Sequence, residues 1–232
     1  MAKKLTKEEL EQDPLLDSYA RVQDFYWGNK KTILISAAAI VLAIGLSIGY
    51  YYYSRAQEKQ ARQLMGYAEQ YYLNGNYQNA LYGSEEEFTV GFEQIINNYS
   101  GTDTGNLARY YAAVCEYNLG NTEQALAYIN QYKVPKGILG VGAISFKGVL
   151  LTELGRHSEA AEAYMEAAHW DQNDSTTPYN LLEAAYAYSE AGNKEKALEQ
   201  AEQIISDYPD SPQTADAQRL FGLLQTASMQ PK

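Results

Sequence analysis

The chain has 232 residues, with 18 Lys and Arg against 29 Asp and Glu for a formal charge of −11, one Cys, two His and 22 Tyr. One cysteine forms no intrachain disulfide, so the fold must rest on packing, and His157 and His169, twelve residues apart, give no metal-ligand set of usual spacing. The acidic balance excludes a general nucleic-acid binder, which needs clustered Lys and Arg to neutralise phosphates.

Residues 1–31 carry six positive and six negative side chains. Asp13 before Pro14 reads as a helix cap with proline at the first helical position. Leu15, Tyr19, Val22 and Tyr26 follow at helical spacing, which predicts an amphipathic helix lying along a membrane interface. A docking helix for a cytosolic protein is the other reading.

From Thr32 to Ser54 there are 23 residues without a charge, bounded by Lys30 and Lys31 before and Arg55 after. At about 1.5 Å per residue the run spans a hydrocarbon core of about 30 Å. Tyr26 and Trp27 on one side and Tyr50 to Tyr53 on the other stand where membrane interfaces favour aromatic rings. The polar residues in front and the missing small-residue cleavage site favour an uncleaved anchor over a signal peptide. Lys and Arg close to the run tie at three on each side; the orientation expected is a short cytoplasmic tail and a large domain on the far side. Gly45 and Gly49 form a G-x-x-x-G pair, and Ser36, Ala39, Ala43 and Ser47 a second small-residue stripe, both suited to close helix packing in lipid.

Residues 55–232 hold 12 positive and 23 negative side chains, so the whole −11 belongs to this domain, which favours cationic or neutral partners and repels anionic lipid. Between Lys31 and Leu73 there is no proline, and the helix is expected to run on from the apolar segment into the domain.

Four segments of the domain align on a glycine: Gly75, Gly120, Gly155 and Gly192, spaced 45, 35 and 37 residues. Each glycine ends an amphipathic stretch and is followed five residues later by Ala80, Ala125, Ala160 or Ala197 and a second apolar stretch. This is helix, turn, helix, with glycine supplying the positive φ of the turn and alanine a close helix contact. The first copy has about eight additional residues between Leu81 and Phe92. Residues 213–227, with Ala217, Leu220, Phe221 and Leu224 on one side, read as a capping helix.

These segments resemble the tetratricopeptide repeat over roughly residues 60–209. The third copy has Gly148, Gly155, Ala160, Tyr164 and Ala167, and the fourth Ala197, Ile204 and Pro209. The resemblance implies an all-α fold: one transmembrane helix (32–54) after the tail (1–31), then a superhelix of about four helix pairs plus the cap (55–232). It also implies a peptide-binding groove lined by the first helix of each pair. The groove positions are Met65, Glu69 and Tyr72; Leu107, Tyr110, Val114 and Tyr117; Ser145 and Val149; and Tyr179, Leu182 and Tyr186. Tyrosine suits tolerant recognition of extended chains, although many of these rings could equally serve as inter-helix core. The Lys and Asn clamp that grips a C-terminal carboxylate in one group of such domains is absent from these positions.

No catalytic constellation, cofactor motif or metal motif stands out. Cys115, among Ala112, Ala113 and Leu119, reads as a packed core thiol, His157 as a turn residue, and His169 with Trp170 as a plug between repeats. The acidic run Glu85 to Glu87 reads as a solvated face of the insertion.

A polar tail, an aromatic belt, one membrane helix and a repeat domain directly after it look like the ancillary SecYEG translocon subunit family of bacteria. That resemblance implies an inner-membrane protein with a periplasmic repeat domain beside the protein-conducting channel and a membrane-anchored foldase. It would be a non-enzymatic adaptor with chaperone-like binding of partner proteins or emerging polypeptides. The alternative is a cell-envelope scaffold for division or outer-membrane assembly.

Overall fold

The computed structural model describes residues 14–227. In chain order the helices are α1 (Pro14–Leu73), α2 (Tyr77–Tyr82), α3 (Phe92–Asn98), α4 (Asp103–Asn118), α5 (Thr122–Gln131), α6 (Ile138–Glu153), α7 (His157–Trp170), α8 (Thr177–Glu190), α9 (Lys194–Asp207) and α10 (Thr214–Ala227). Two short strands, β1 (Gly83–Ser84) and β2 (Thr89–Val90), pair antiparallel between α2 and α3.

The four turn glycines end their helices in one way. Gly75, Gly120, Gly155 and Gly192 have φ of +73°, +84°, +71° and +76°. In each turn the glycine N–H bonds to the carbonyl three residues back, as Gly120 to Tyr117 (3.0 Å). The next N–H reaches five back, as Asn121 to Glu116 (2.8 Å). These are the two bonds of the Schellman motif, which only a left-handed residue closes without strain. Five residues on, Ala80, Ala125, Ala160 and Ala197 are fully buried, so the second helix of each pair lies close against its partner.

Contacts divide the chain into two units, residues 1–56 and 57–232. In the first unit the tail helix expected along the interface is not a separate element: α1 begins at Pro14 and runs through Trp27, Gly28 and the apolar segment without a break. Gly28 alone weakens a helix by about 1 kcal/mol, too little to stop one that both neighbouring segments propagate. Asp13, the expected cap, lies outside the described residues. The helix holds one segment long and apolar enough to cross a membrane, and none of that segment is buried within the protein.

In the second unit the core is a series of local clusters, as a stack of repeats requires. Ala68, Ala80, Leu81, Phe92, Ile95 and Ala108 join the first pair to α4. Ala125, Leu150, Leu151, Ala160, Tyr164 and Ala184 join the middle pairs. Leu181, Ala201, Ile204 and Ala217 hold the last pair to α10. Gly148 marks a close helix crossing, since a Cβ there would stand 2.7 Å from the Tyr164 ring.

The insertion departs from the all-α expectation. It splits the second helix of the first pair into α2 and α3 and folds the residues between them as a hairpin, Gly83 opposite Val90 and Ser84 opposite Thr89. Gly83 and Gly91 make this possible, because a Cβ on either would collide with backbone across the hairpin neck.

Candidate peptide-binding groove

The first helices of the pairs, residues 57–73 of α1 with α4, α6 and α8, carry the twelve groove positions. The structure divides them into wall and core. Tyr179 and Leu107 are open to solvent, 41% and 39% exposed. Glu69, Val114, Ser145 and Tyr186 are half-buried, as is Val149, which packs against the central cluster. Met65 and Leu182, at 4% and 5% exposure, are core side chains, packed into the clusters at the two ends of the stack.

Tyr72, Tyr110 and Tyr117 belong to an aromatic ladder rather than standing free. Tyr72 meets Tyr111 edge-on at 4.9 Å and Tyr77 at 5.9 Å, and Tyr111 stacks on Phe92 at 5.2 Å. Tyr110 lies 5.6 Å from Tyr132 and 6.3 Å from Phe146, and Tyr117 meets Phe146 edge-on at 5.5 Å. Such pairs add about 0.5–1.5 kcal/mol each beyond buried area, so these rings stiffen the groove floor. Burial pushes the Tyr72 and Tyr110 phenols up from their ordinary value. The Tyr117 hydroxyl donates to Glu153 Oε1 at 2.7 Å, and that bond, followed by burial, pushes its phenol up.

Carboxylates stand beside the rings. Glu153 also accepts from the Thr122 hydroxyl at 3.4 Å. Glu183 is half-buried on α8, and burial pushes its carboxyl up. Near the start of the stack, Glu58, Arg62, Met65, Glu69, Asp103, Thr104 and Leu107 surround a hollow of about 330 Å³. On α6, Gly142 has no atom within 4 Å of where a Cβ would be, which leaves the wall open there. The arrangement offers ring faces, phenol tips and carboxylates.

Phe146, Tyr111, Tyr132, Glu153 and Glu183 lie outside the groove positions that the repeat register marks. Tyr111, Phe146 and Glu183 each fall one residue after the fifth repeat position, so the register holds the signal for them. Tyr132 gives no such signal, because it leaves the end of α5 and reaches Tyr110 only through folding.

Cys115 is fully buried, and burial, with Glu116 beside it, pushes its thiol up to about 12. His157 opens α7 and is half-buried. The His169 Nδ1 donates to the Met165 carbonyl at 2.7 Å, and Trp170 Nε1 donates to the Pro135 carbonyl at 3.0 Å, closing the loop between α5 and α6. In the apolar segment Ser36, Ala39, Ala43, Gly45, Ser47 and Gly49 are all exposed, and the Ser47 hydroxyl donates to the Ala43 carbonyl at 2.8 Å, satisfied within its own helix.

Residues 107–134 and 179–211 match the family model of the tetratricopeptide repeat, which places α4 with α5 and α8 with α9 in that class. The third copy lies outside the matched segments, yet it has the same helix pair and left-handed glycine. The chain is similar to a Podosopora anserina structure described as a putative kinesin light chain with nearly identical TPR-like repeats. Identity is 16%, over 74% of this chain and 88% of that one, with a TM-score of 0.55. A second structure of the same description matches equally, at 16% identity over 74% and 87%, with a TM-score of 0.55. At that identity the likeness establishes the fold, a tetratricopeptide-type superhelix. No curated protein sequence matches the chain.

Proposed function

We propose that this protein is a single-pass adaptor of the bacterial inner membrane, N-terminus cytoplasmic and repeat domain periplasmic. Its groove holds partner proteins or emerging polypeptides near the protein translocon. Repeats of this class serve as protein-binding scaffolds. The observation that carries the reading is the pairing, on one chain, of a superhelix whose wall exposes Leu107 and Tyr179 with an apolar segment long enough to span a bilayer. The resemblance in tail, belt and domain order supports the translocon as the address, and the absence of charge along Thr32–Ser54 supports the membrane. The alternative address is a scaffold for envelope division or outer-membrane assembly.

A photoreactive residue placed at Leu107 or Tyr179 in living cells tests both. Capture of translocon subunits, a membrane-anchored foldase or secretory chains is the expected result. Capture only of envelope-assembly proteins would select the alternative. Modification of a cysteine introduced at Lys194 by a membrane-impermeant reagent in intact spheroplasts checks the orientation.

A further inference from the structure

The first repeat has a second surface that the groove does not use. On α1 the side opposite the groove, about 150° away by helical phase, carries Gln63, Leu64, Gly66, Tyr67 and Gln70 around an open depression of about 540 Å³. A second hollow of about 220 Å³ continues it through Tyr67, Gln70, Tyr71 and Asn74 to Glu87 and Thr89 of the hairpin. The two share Tyr67 and Gln70 and form one channel, floored by α1 and walled at one end by the insertion. From Gln63 to Asn74 the floor is about 17 Å long, three helical turns.

Two features of this channel, and a third at the hairpin tip just beyond its lining, have no role inside the protein. Gly66 sits in mid-helix, where glycine weakens the helix, and no atom lies within 4 Å of its missing Cβ, so no contact within the chain requires it. Tyr67 is 55% exposed at the channel centre and Phe88 is 94% exposed at the hairpin tip. Phe88 also has φ of +54°, the left-handed region that a bulky aromatic residue rarely occupies. The hairpin is held in place: the Tyr71 hydroxyl donates to Glu87 Oε2 at 2.5 Å, and Thr89 Oγ1 accepts from the Ser84 N–H at 3.1 Å. At the other end of the stack, α10 covers the last pair with Ala217 and Phe221.

We propose that this channel docks an amphipathic helix of another protein, its small-residue and apolar stripe crossing Gly66 and Tyr67, its end against Phe88, and its flanks basic. A bare glycine lets a second helix approach closely, and helix-in-groove recognition uses just such a stripe. The charge sets the partner's sign: Glu85, Glu86 and Glu87 line the hairpin tip in a domain that is acidic throughout. A second copy of this chain would bring its own three carboxylates to the same place.

The full chain in detergent micelles is titrated against a fluorescent 18-residue peptide with Leu and Ala on one helical face and Lys on the other. The control peptide has Glu in place of Lys, and empty micelles serve as the blank. The Lys peptide binds at least tenfold more tightly than the control. Gly66→Gln and Phe88→Asn each weaken that binding at least tenfold while melting at or above the wild-type temperature, Gly66→Gln by about 2–4 °C. A merely structural role would lower stability and binding together. Equal affinity for the two peptides, or undiminished binding by both variants, overturns the proposal. So does a dimer in sedimentation velocity that Phe88→Asn dissolves, which would assign the face to a second copy.

Discussion

Glu58 caps a helix 46 residues away: its Oε2 accepts the Thr104 N–H at 3.2 Å and its Oε1 the Thr104 hydroxyl at 2.8 Å. Thr104 lies in the first turn of α4, where backbone donors lack intrahelical partners, and Thr102 supplies the neighbouring bond by accepting the Gly105 N–H at 2.9 Å. Arg62 Nε donates to the same Glu58 Oε1 at 2.7 Å. One carboxylate therefore ties the first helix of one pair to the first helix of the next.

Glu58→Gln should lower stability at pH 7 by about 1–2 kcal/mol, the scale of charge-assisted hydrogen bonds. Burial alone would raise the Glu58 carboxyl, but its bonds from Arg62 and Thr104 together outweigh burial and hold it below the ordinary value. A group depressed on folding stabilises above its unfolded value, about 4.3, and that stabilisation disappears as pH falls through the lower folded value. Melting curves of wild type and variant should thus differ at pH 7 and converge only as pH falls through the depressed folded value of Glu58.

Gly148→Ala should cost about 1–3 kcal/mol, the range for overpacking a tight core. The added methyl meets the Tyr164 ring at 2.7 Å, and that ring, 3% exposed, has nowhere to move. Urea denaturation checks it. Gly142→Ala, on the same helix with open space at its Cβ, should be neutral or stabilising, which separates crowding from backbone propensity.

Groove variants should divide by burial. Leu107→Ala with Tyr179→Ala should leave the melting temperature within about 2 °C, because surface changes are worth within about 0.5 kcal/mol, and should weaken crosslinking to bound chains severalfold. Tyr110→Ala should destabilise by about 2–3 kcal/mol, since it removes a ring packed on Tyr132 and Phe146. Its effect on binding then includes unfolding, so Tyr110 alone is a poor probe of the groove. Full binding by the first variant would move the site off this wall.

Cys115 should react with maleimide in the native protein on the order of a hundredfold or more slowly than in denaturant. The thiolate is the nucleophile, and burial that pushes the thiol up to about 12 removes nearly all of it at neutral pH. Rapid native labelling would mean that α4 opens locally.

The repeat architecture was legible in the sequence because a left-handed turn leaves a glycine and a close helix contact leaves an alanine at constant spacing. Gly75, Gly120, Gly155 and Gly192 with their alanines mark the turn of each helix pair, and Thr214–Ala227 is a further helix after the last pair. The groove was legible only as a register. Position and residue type could not say that Leu182 turns inward while Tyr179 stays out, since both lie on the first helix of the same pair and only the packing of α8 against α9 and α10 separates them.

Composition and spacing by themselves determined that this is an acidic stack of helix pairs carrying an uncharged run of membrane-spanning length. These properties are local: periodicity, turn chemistry and charge act within a few residues of their own position. That the tail helix and the apolar run are one element is likewise a local outcome, propagation across Gly28. Tertiary structure decided that the inserted residues form a pinned hairpin with Phe88 outside, and that Tyr72, Tyr110 and Tyr117 are spent on other aromatic rings. Each of those outcomes depends on which side chains compete for the same space, such as Tyr72 with Tyr111 and Tyr110 with Tyr132, and that competition arises only once distant segments are brought together.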